Sequence, residues 1–176
     1  MVPEGWKARI VARCSSEQAL RYAITEGDTK PPHVLAGGKA ILSELPDKLL
    51  TRSFDETRGQ RETLTQTTTT AHSKLRKQIA IFREQGSATA IYESTVSISS
   101  IARPICLGDT VGALSIAMPS IRFLPELQNR SVHALKRAVI SLCEERYTGC
   151  NWNKLERLVA EREGFEPSIR LPVYRI

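Results

Sequence analysis

Residues 86–123 are predicted to form three successive strands whose two faces differ in side-chain size. Side chains alternate across a strand, so residues two positions apart share a face. In the last strand, VGALSIAM, one face consists mostly of small side chains: Val111, Ala113, Ser115 and Ala117. The other face carries Leu114, Ile116 and Met118, which predicts that a helix covers it. Because protein interiors are close-packed, a small face either lets another backbone approach or leaves room for a ligand. We interpret it as the floor of a pocket.

Other segments show helical or extended patterns. Helices are predicted over residues 35–45, 47–54, 71–85 and 124–146, the last with an apolar stripe at three, seven and ten residues. A hairpin is predicted from WKARIVAR (6–13) and ALRYAITE (19–26), joined by the turn at 15–18. The β-branched run LTQTTTT (64–70) predicts a strand or a loop that ends in a Thr70 N-cap, and Gly108–Asp109 predicts a turn.

The helix at residues 35–45 contains two adjacent glycines, Gly37 and Gly38. Together they lower the helix propensity by about 2 kcal/mol relative to alanine. Glycines near a helix N-terminus let backbone N–H groups approach a carboxylate, which the helix dipole also favours. Alternatively, they allow tight packing under the sheet. The residue pattern leaves both explanations open.

Composition limits the classes of function. The chain has 176 residues, 41% of them hydrophobic, and a formal net charge of +6, but no basic run is interleaved with aromatic residues. Direct nucleic-acid binding is therefore disfavoured. The four cysteines are scattered and no histidine stands at metal-ligand spacing, so we expect no metal site and a reducing compartment. The sequence shows neither a signal peptide nor a membrane span, and we expect a cytoplasmic protein.

Catalytic motifs are also missing. No serine lies in a GxSxG elbow, and the sequence contains no HExxH motif and no dinucleotide fingerprint. Three histidines supply little general-base chemistry. We expect no enzyme activity and no cofactor.

Three segments in order are distinctive as a set: HVLAGGKAILSELP, then LTQTTTT with a helix ending in FREQG, then SSIARPI with GALSIAMPSIRF before a long final helix. Together they resemble the effector-binding domain of IclR-type transcriptional regulators over about residues 5–149. The resemblance implies an α/β (α+β) fold of GAF-like type, with helices flanking a central antiparallel sheet. It also implies a domain that binds small metabolites, often carboxylates or aromatic acids.

The resemblance also implies a set of ligand-contacting positions. They fall on the glycine helix and on the small face of the strands: Ala36, Gly37, Ala90, Ser100, Ser115 and Ala117. Some family members carry an acidic residue where this chain has Ala90, a cysteine where it has Ser100, and a serine where it has Ala117. Fewer polar anchors imply a roomier, more apolar pocket than one for a small oxo-acid.

In the resembling regulators, a winged helix-turn-helix precedes the effector domain and binds DNA as part of a dimer or tetramer. This sequence has no counterpart of that portion, so we expect any DNA binding to depend on a domain outside the chain. We assign residues 1–149 to the effector domain. Residues 150–176 are a C-terminal extension, for which a disordered tail, an arm packed on a neighbouring molecule, and a read-through peptide stay open. An oligomerisation module that senses nothing is the alternative function.

Overall fold

The computed structural model describes residues 1–14, 22, 24–107 and 110–147. The chain divides into a compact unit over Met1–Cys143 and a second unit that begins at Glu144. The fold described below is that of the first unit. The predictions for the turn at 108–109 and for residues 150–176 lie outside the described residues.

The first sheet is small and antiparallel. Strands β1 (Val2–Glu4) and β2 (Lys7–Arg9) pair with each other, and β2 also pairs with β3 (Thr29–Lys30). Strand β2 lies within the first strand of the predicted hairpin (6–13), and it pairs with β3, which stands directly before Pro31 and Pro32. Residues 15–21 and 23, most of the predicted turn and second strand, lie outside the described residues.

The second sheet consists of the three predicted strands. Strand β4 (Ala88–Ile91) pairs antiparallel with β5 (Ile98–Leu107), which pairs antiparallel with β6 (Thr110–Pro119). Met1 joins the two sheets, because its backbone oxygen accepts from the Ala113 N–H at 2.9 Å and its amine donates to the Ala113 oxygen at 3.1 Å. The central antiparallel sheet is thus confirmed.

Helices cover both faces of the second sheet. The α-helices of the described residues are α1 (Ala36–Glu44), α2 (Asp47–Glu56), α3 (His72–Gln85) and α4 (Pro125–Tyr147). Leu127, Val132 and Leu135 of α4 pack with the large residues Ile101 and Met118, which confirms the helix-covered face. Helices α1 and α3 build the core on the small face. The α+β class is confirmed. None of the described helices combines the length and the apolar character that a membrane span requires.

The run at 64–70 forms a loop rather than a strand. The N-cap residue of α3 is Ala71 rather than Thr70, and it provides no side-chain hydrogen bond. The helix ends at Gly86, which adopts a left-handed conformation (φ 63°), as the sequence predicted for a C-terminal glycine.

Candidate functional site

Three of the six predicted site residues lie in one row across the second sheet. Ser100 on the central strand β5 faces Ala90 of β4 on one side and Ala117 of β6 on the other. Directly opposed residues of an antiparallel pair point to the same face, so these three side chains form a continuous small strip. Ser115 belongs to the neighbouring row, where it faces Ala102. The strand register thus brings four predicted residues together.

Exposure differs along these rows. Ala90 is 3% and Ser100 9% exposed, whereas Ser115 and Ala117 on β6 are exposed. The Ser115 hydroxyl donates a weak hydrogen bond of 3.4 Å to the carbonyl oxygen of Ile101. The small face is therefore closed at β4 and open around Ser115 and Ala117 of β6.

Helix α1 lies on the closed part of this face. Ala36, at the start of α1, is 1% exposed and belongs to one buried cluster with Ala88, Ala90 and Ala102. Gly37 lies against the same surface, since a methyl group built on it would be 3.7 Å from the Cβ atom of Ala113. Close approach of another backbone thus explains the alanines under α1, and room for a ligand remains an option only toward β6.

Tight packing also accounts for the glycine pair. A methyl group on Gly38 would overlap the backbone of Pro32, and one on Gly37 would lie 2.8 Å from the Met1 sulfur. The first turn of α1 nevertheless has neither a side-chain cap nor an acidic residue. Its leading N–H groups are left for another acceptor, because the first turn of a helix has no internal partners.

A buried ion pair lies behind the small face. The Nζ atom of Lys39 on α1 is 2.5 Å from Oε1 of Glu93, which follows β4, and their side chains are 0% and 7% exposed. Burial lowers the pKa of the Lys39 ammonium, and the Glu93 carboxylate opposes that shift. The ammonium also lies 5.9 Å from the centre of the Phe82 ring. The pair fixes α1 to the end of β4.

Threonines of the 64–70 segment form hydrogen bonds to Glu93 and to the neighbouring Tyr92. Thr68 Oγ1 donates to the Glu93 carbonyl oxygen at 2.8 Å, and the Thr69 N–H donates to Glu93 Oε2 at 3.2 Å. Thr65 Oγ1 donates to the carbonyl oxygen of Tyr92 at 2.5 Å. Tyr92 itself has a positive φ of 59°, which is uncommon for a residue other than glycine. The 64–70 segment thus contacts the end of β4 through hydroxyl-to-carbonyl hydrogen bonds and not through strand pairing. These bonds stabilise the turn at Tyr92.

The sequence interpretation assigned Glu93 no ligand contact and left Lys39 without a role. The only signal in the sequence was a lysine inside an otherwise small and apolar helix, GGKAIL. A buried lysine requires an anion, since an unpaired buried charge is strongly unfavourable. The spacing of 54 residues to Glu93 could not be read from local patterns.

The sequence matches the family model of the bacterial transcriptional regulator IclR C-terminal domain over residues 2–144. The chain belongs to this family. A search of curated proteins finds no match. Among the residues that the structure describes, no group of histidine, cysteine or acidic side chains could hold a metal ion.

Solved structures share the fold of this IclR C-terminal domain. A protein described as a transcriptional regulator, from Rhodococcus sp. RHA1, is 25% identical with a TM-score of 0.78, and the match covers 85% of this chain and 61% of that one. An IclR regulator from Silicibacter sp. TM1040 is 26% identical with a TM-score of 0.73, covering 81% and 56%. The chain therefore spans less than two thirds of either relative.

A third structure is the inducer-binding domain of PobR from Acinetobacter, a double mutant in complex with 3-hydroxybenzoic acid. It is 22% identical with a TM-score of 0.69, and the match covers 80% of this chain and 83% of that one. At this identity the likeness shows the fold alone.

Proposed function

We propose that this IclR C-terminal domain senses a small organic acid or a related metabolite that binds on the small face of the second sheet. The site would consist of the residues named from the sequence: Ala36, Gly37, Ala90, Ser100, Ser115 and Ala117. The observation that carries the proposal is the register that aligns Ala90, Ser100 and Ala117 in one row.

The chemistry of this surface suits a ligand with one polar end. The hydroxyls of Ser100 and Ser115 supply hydrogen bonds, and the uncapped first turn of α1 favours a carboxylate. Ala90 and Ala117 provide apolar area without filling space. A carboxylate on an apolar body therefore fits better than a small, fully polar oxo-acid.

The PobR inducer-binding domain, which has the same fold, was solved with an aromatic acid of this class. That complex shows that a domain of this fold can hold a ligand of the proposed class. In the proposed mechanism the ligand binds one arrangement of the segments around the small face more tightly than another and shifts the population toward it. The shift would alter the contacts of a homodimer or tetramer and, through a DNA-binding domain outside this chain, the engagement of an operator.

A screen of monocarboxylic acids by thermal denaturation tests the proposal. At least one acid should raise the Tm of the protein, and Ser115→Phe should abolish that rise by filling the open end of the face. Thr110→Phe is the matched control, because Thr110 is also exposed on β6 but its side chain points to the opposite face. The proposal fails if no acid raises the Tm, or if both variants respond like the unaltered protein.

The alternative, an oligomerisation module that senses nothing, is favoured by one observation. Helix α1 already covers Ala88, Ala102 and Ala113, which are at most 2% exposed. Under this alternative the small residues serve packing alone. Ser115→Phe would then alter self-association measured by analytical ultracentrifugation, while no acid would change the Tm of either protein.

A further inference from the structure

A cavity lies away from the small face. It has a volume of about 250 Å³ and is bounded by the turn after β1, the Pro31–His33 segment, the three helices α1, α2 and α3, and the α2–α3 connection. None of the six residues proposed for the effector site lines it. It is therefore a separate site on the same domain.

The walls of this cavity are largely apolar and partly aromatic. Trp6 and Phe54 contribute rings, and Pro32, Leu42 and Leu75 contribute aliphatic surface. Phe54 and Leu75 are 2% and 1% exposed, so these walls are rigid parts of the core. The volume lies just below the range of about 300–1,000 Å³ typical of drug-sized ligands. A single-ring molecule matches this size and these walls.

The charged side chains of the lining leave an excess of positive charge. Lys7 and Arg61 line the cavity, and Glu62 is the acidic lining residue. Within the described part of the chain, neither Lys7 nor Arg61 has a carboxylate at ion-pair distance. The cavity therefore offers two cationic groups without a close ion pair among the described residues, although the charge of Asp55 acts on Arg61 from a longer distance.

Arg61 is held in place but has donors left over. Its Nη2 donates to the Phe54 carbonyl oxygen at 2.7 Å and its Nη1 to the Thr70 carbonyl oxygen at 3.2 Å, while its guanidinium lies 5.1 Å from the centre of the Phe54 ring. A guanidinium carries five N–H donors, so these neutral acceptors leave some free for a carboxylate. Burial and the nearby charge of Arg58 lower the pKa of Arg61, and the charge of Asp55 opposes this shift only in part.

We propose that this cavity is a second ligand site, which binds a small monocarboxylate with a planar apolar ring. The carboxylate would bind to Arg61 and Lys7, and the ring would pack against Trp6 and Pro32, both of which line the cavity. Hydrogen bonds to a charged group in a partly apolar site are stronger than those between neutral groups, so the carboxylate provides most of the selectivity.

Trp6 provides a direct measurement. The sequence contains two tryptophans, Trp6 and Trp152, so the full chain carrying Trp152→Phe reports on Trp6 alone. Titration with benzoate should give a saturable change in Trp6 fluorescence. Benzyl alcohol, which has the same ring but no charge, should bind at least about tenfold more weakly.

Substitutions of the two cations locate the binding. Arg61→Gln should weaken benzoate binding by about tenfold or more. Lys7→Gln tests the same site should Arg61→Gln fail to fold, because Lys7 is exposed and does not support the core. Lys74→Gln, which removes an exposed lysine of α3 that does not line the cavity, is the matched control and should leave the affinity unchanged.

Ser115→Phe separates the two proposed sites. It should leave the Trp6 response to benzoate intact, even though it blocks the small face. The second site is refuted if benzoate gives no saturable change, if folded Lys7→Gln and Lys74→Gln bind it equally well, or if Ser115→Phe abolishes the response. A failed acid screen on the small face would leave this result unaffected.

Discussion

The Nζ atom of Lys39 lies 2.5 Å from Oε1 of Glu93, and both side chains are almost fully buried. This contact joins α1 to the segment that follows β4. Helix α1 carries Ala36 and Gly37, and strand β4 carries Ala90. The two elements that border the proposed effector site are therefore connected by an ion pair removed from solvent.

Lys39→Met should lower the free energy of unfolding by about 3–5 kcal/mol, because it leaves the Glu93 carboxylate buried without a partner. The double variant Lys39→Met/Glu93→Leu should recover a large part of that loss, since it removes both charges. Urea denaturation monitored by circular dichroism measures the effect. Equal losses in the single and the double variant would show that the pair is not coupled.

Thr68→Val should lower the free energy of unfolding by about 2 kcal/mol. The Thr68 hydroxyl donates to the Glu93 carbonyl oxygen at 2.8 Å and accepts from the N–H groups of Leu64 at 3.1 Å and Thr65 at 2.9 Å. Valine has nearly the same shape and makes none of these bonds.

Thr67→Val is the matched control for Thr68. The Thr67 hydroxyl makes two exposed bonds, at 3.3 Å to the Ile91 carbonyl oxygen and at 3.1 Å to the Thr65 hydroxyl, so its loss should lower the stability by less than about 0.5 kcal/mol. Urea denaturation of both variants gives the comparison. Similar losses at the two positions would contradict the role assigned to Thr68.

The fold could be predicted wherever a segment has a clear period. The stripe Leu75, Ile79 and Phe82 of α3 is buried as predicted, and the three strands of the second sheet were recognised from alternation. The 64–70 segment was not, because a run of threonines favours strands only where neighbours pair with it. Here its hydroxyls bond to the backbone at residues 91–93, which are distant in sequence.

The sequence predicted which face of the strands carries the candidate site, but it did not predict the register that places residues of different strands side by side. Alternation assigned Ser100, Ser115 and Ala117 to the small face, whereas the pairing of Ser100 with both Ala90 and Ala117 depends on how the strands align. The cavity at Arg61 gave no sequence signal at all. Its walls come from the first sheet, three helices and a connection, which only the tertiary fold brings together.

Gly38→Ala should lower the free energy of unfolding by at least about 2 kcal/mol, although alanine has the better helix propensity. The added methyl group would lie 2.7 Å from the carbonyl carbon of Pro32, and this backbone cannot move without shifting the segment before α1. Gly37→Ala should have a smaller effect, because the closest atom is the Met1 sulfur at 2.8 Å, the end of a flexible side chain. Thermal denaturation compares the two, and an equal loss would contradict the argument.

His33 should make the stability depend on pH. Its ring is 4% exposed, and its Nε2 donates to the Glu62 carbonyl oxygen at 3.1 Å, because a carbonyl can only accept. Burial lowers the pKa of His33 below its ordinary value of 6.5, and the charges of Arg61 and Lys39 act in the same direction. The unfolded chain therefore binds the proton more readily than the folded protein.

The free energy of unfolding should accordingly be unaffected by His33 above about pH 7 and fall as the pH drops below 6.5, with a slope of at most about 1.4 kcal/mol per pH unit. His33→Gln retains an N–H donor but cannot titrate, so it should reduce this slope. His133→Gln, at an exposed histidine of α4, should leave it unchanged. Urea denaturation at a series of pH values measures the slopes, and an identical acid-side decline in the His33→Gln variant would place the titrating group elsewhere.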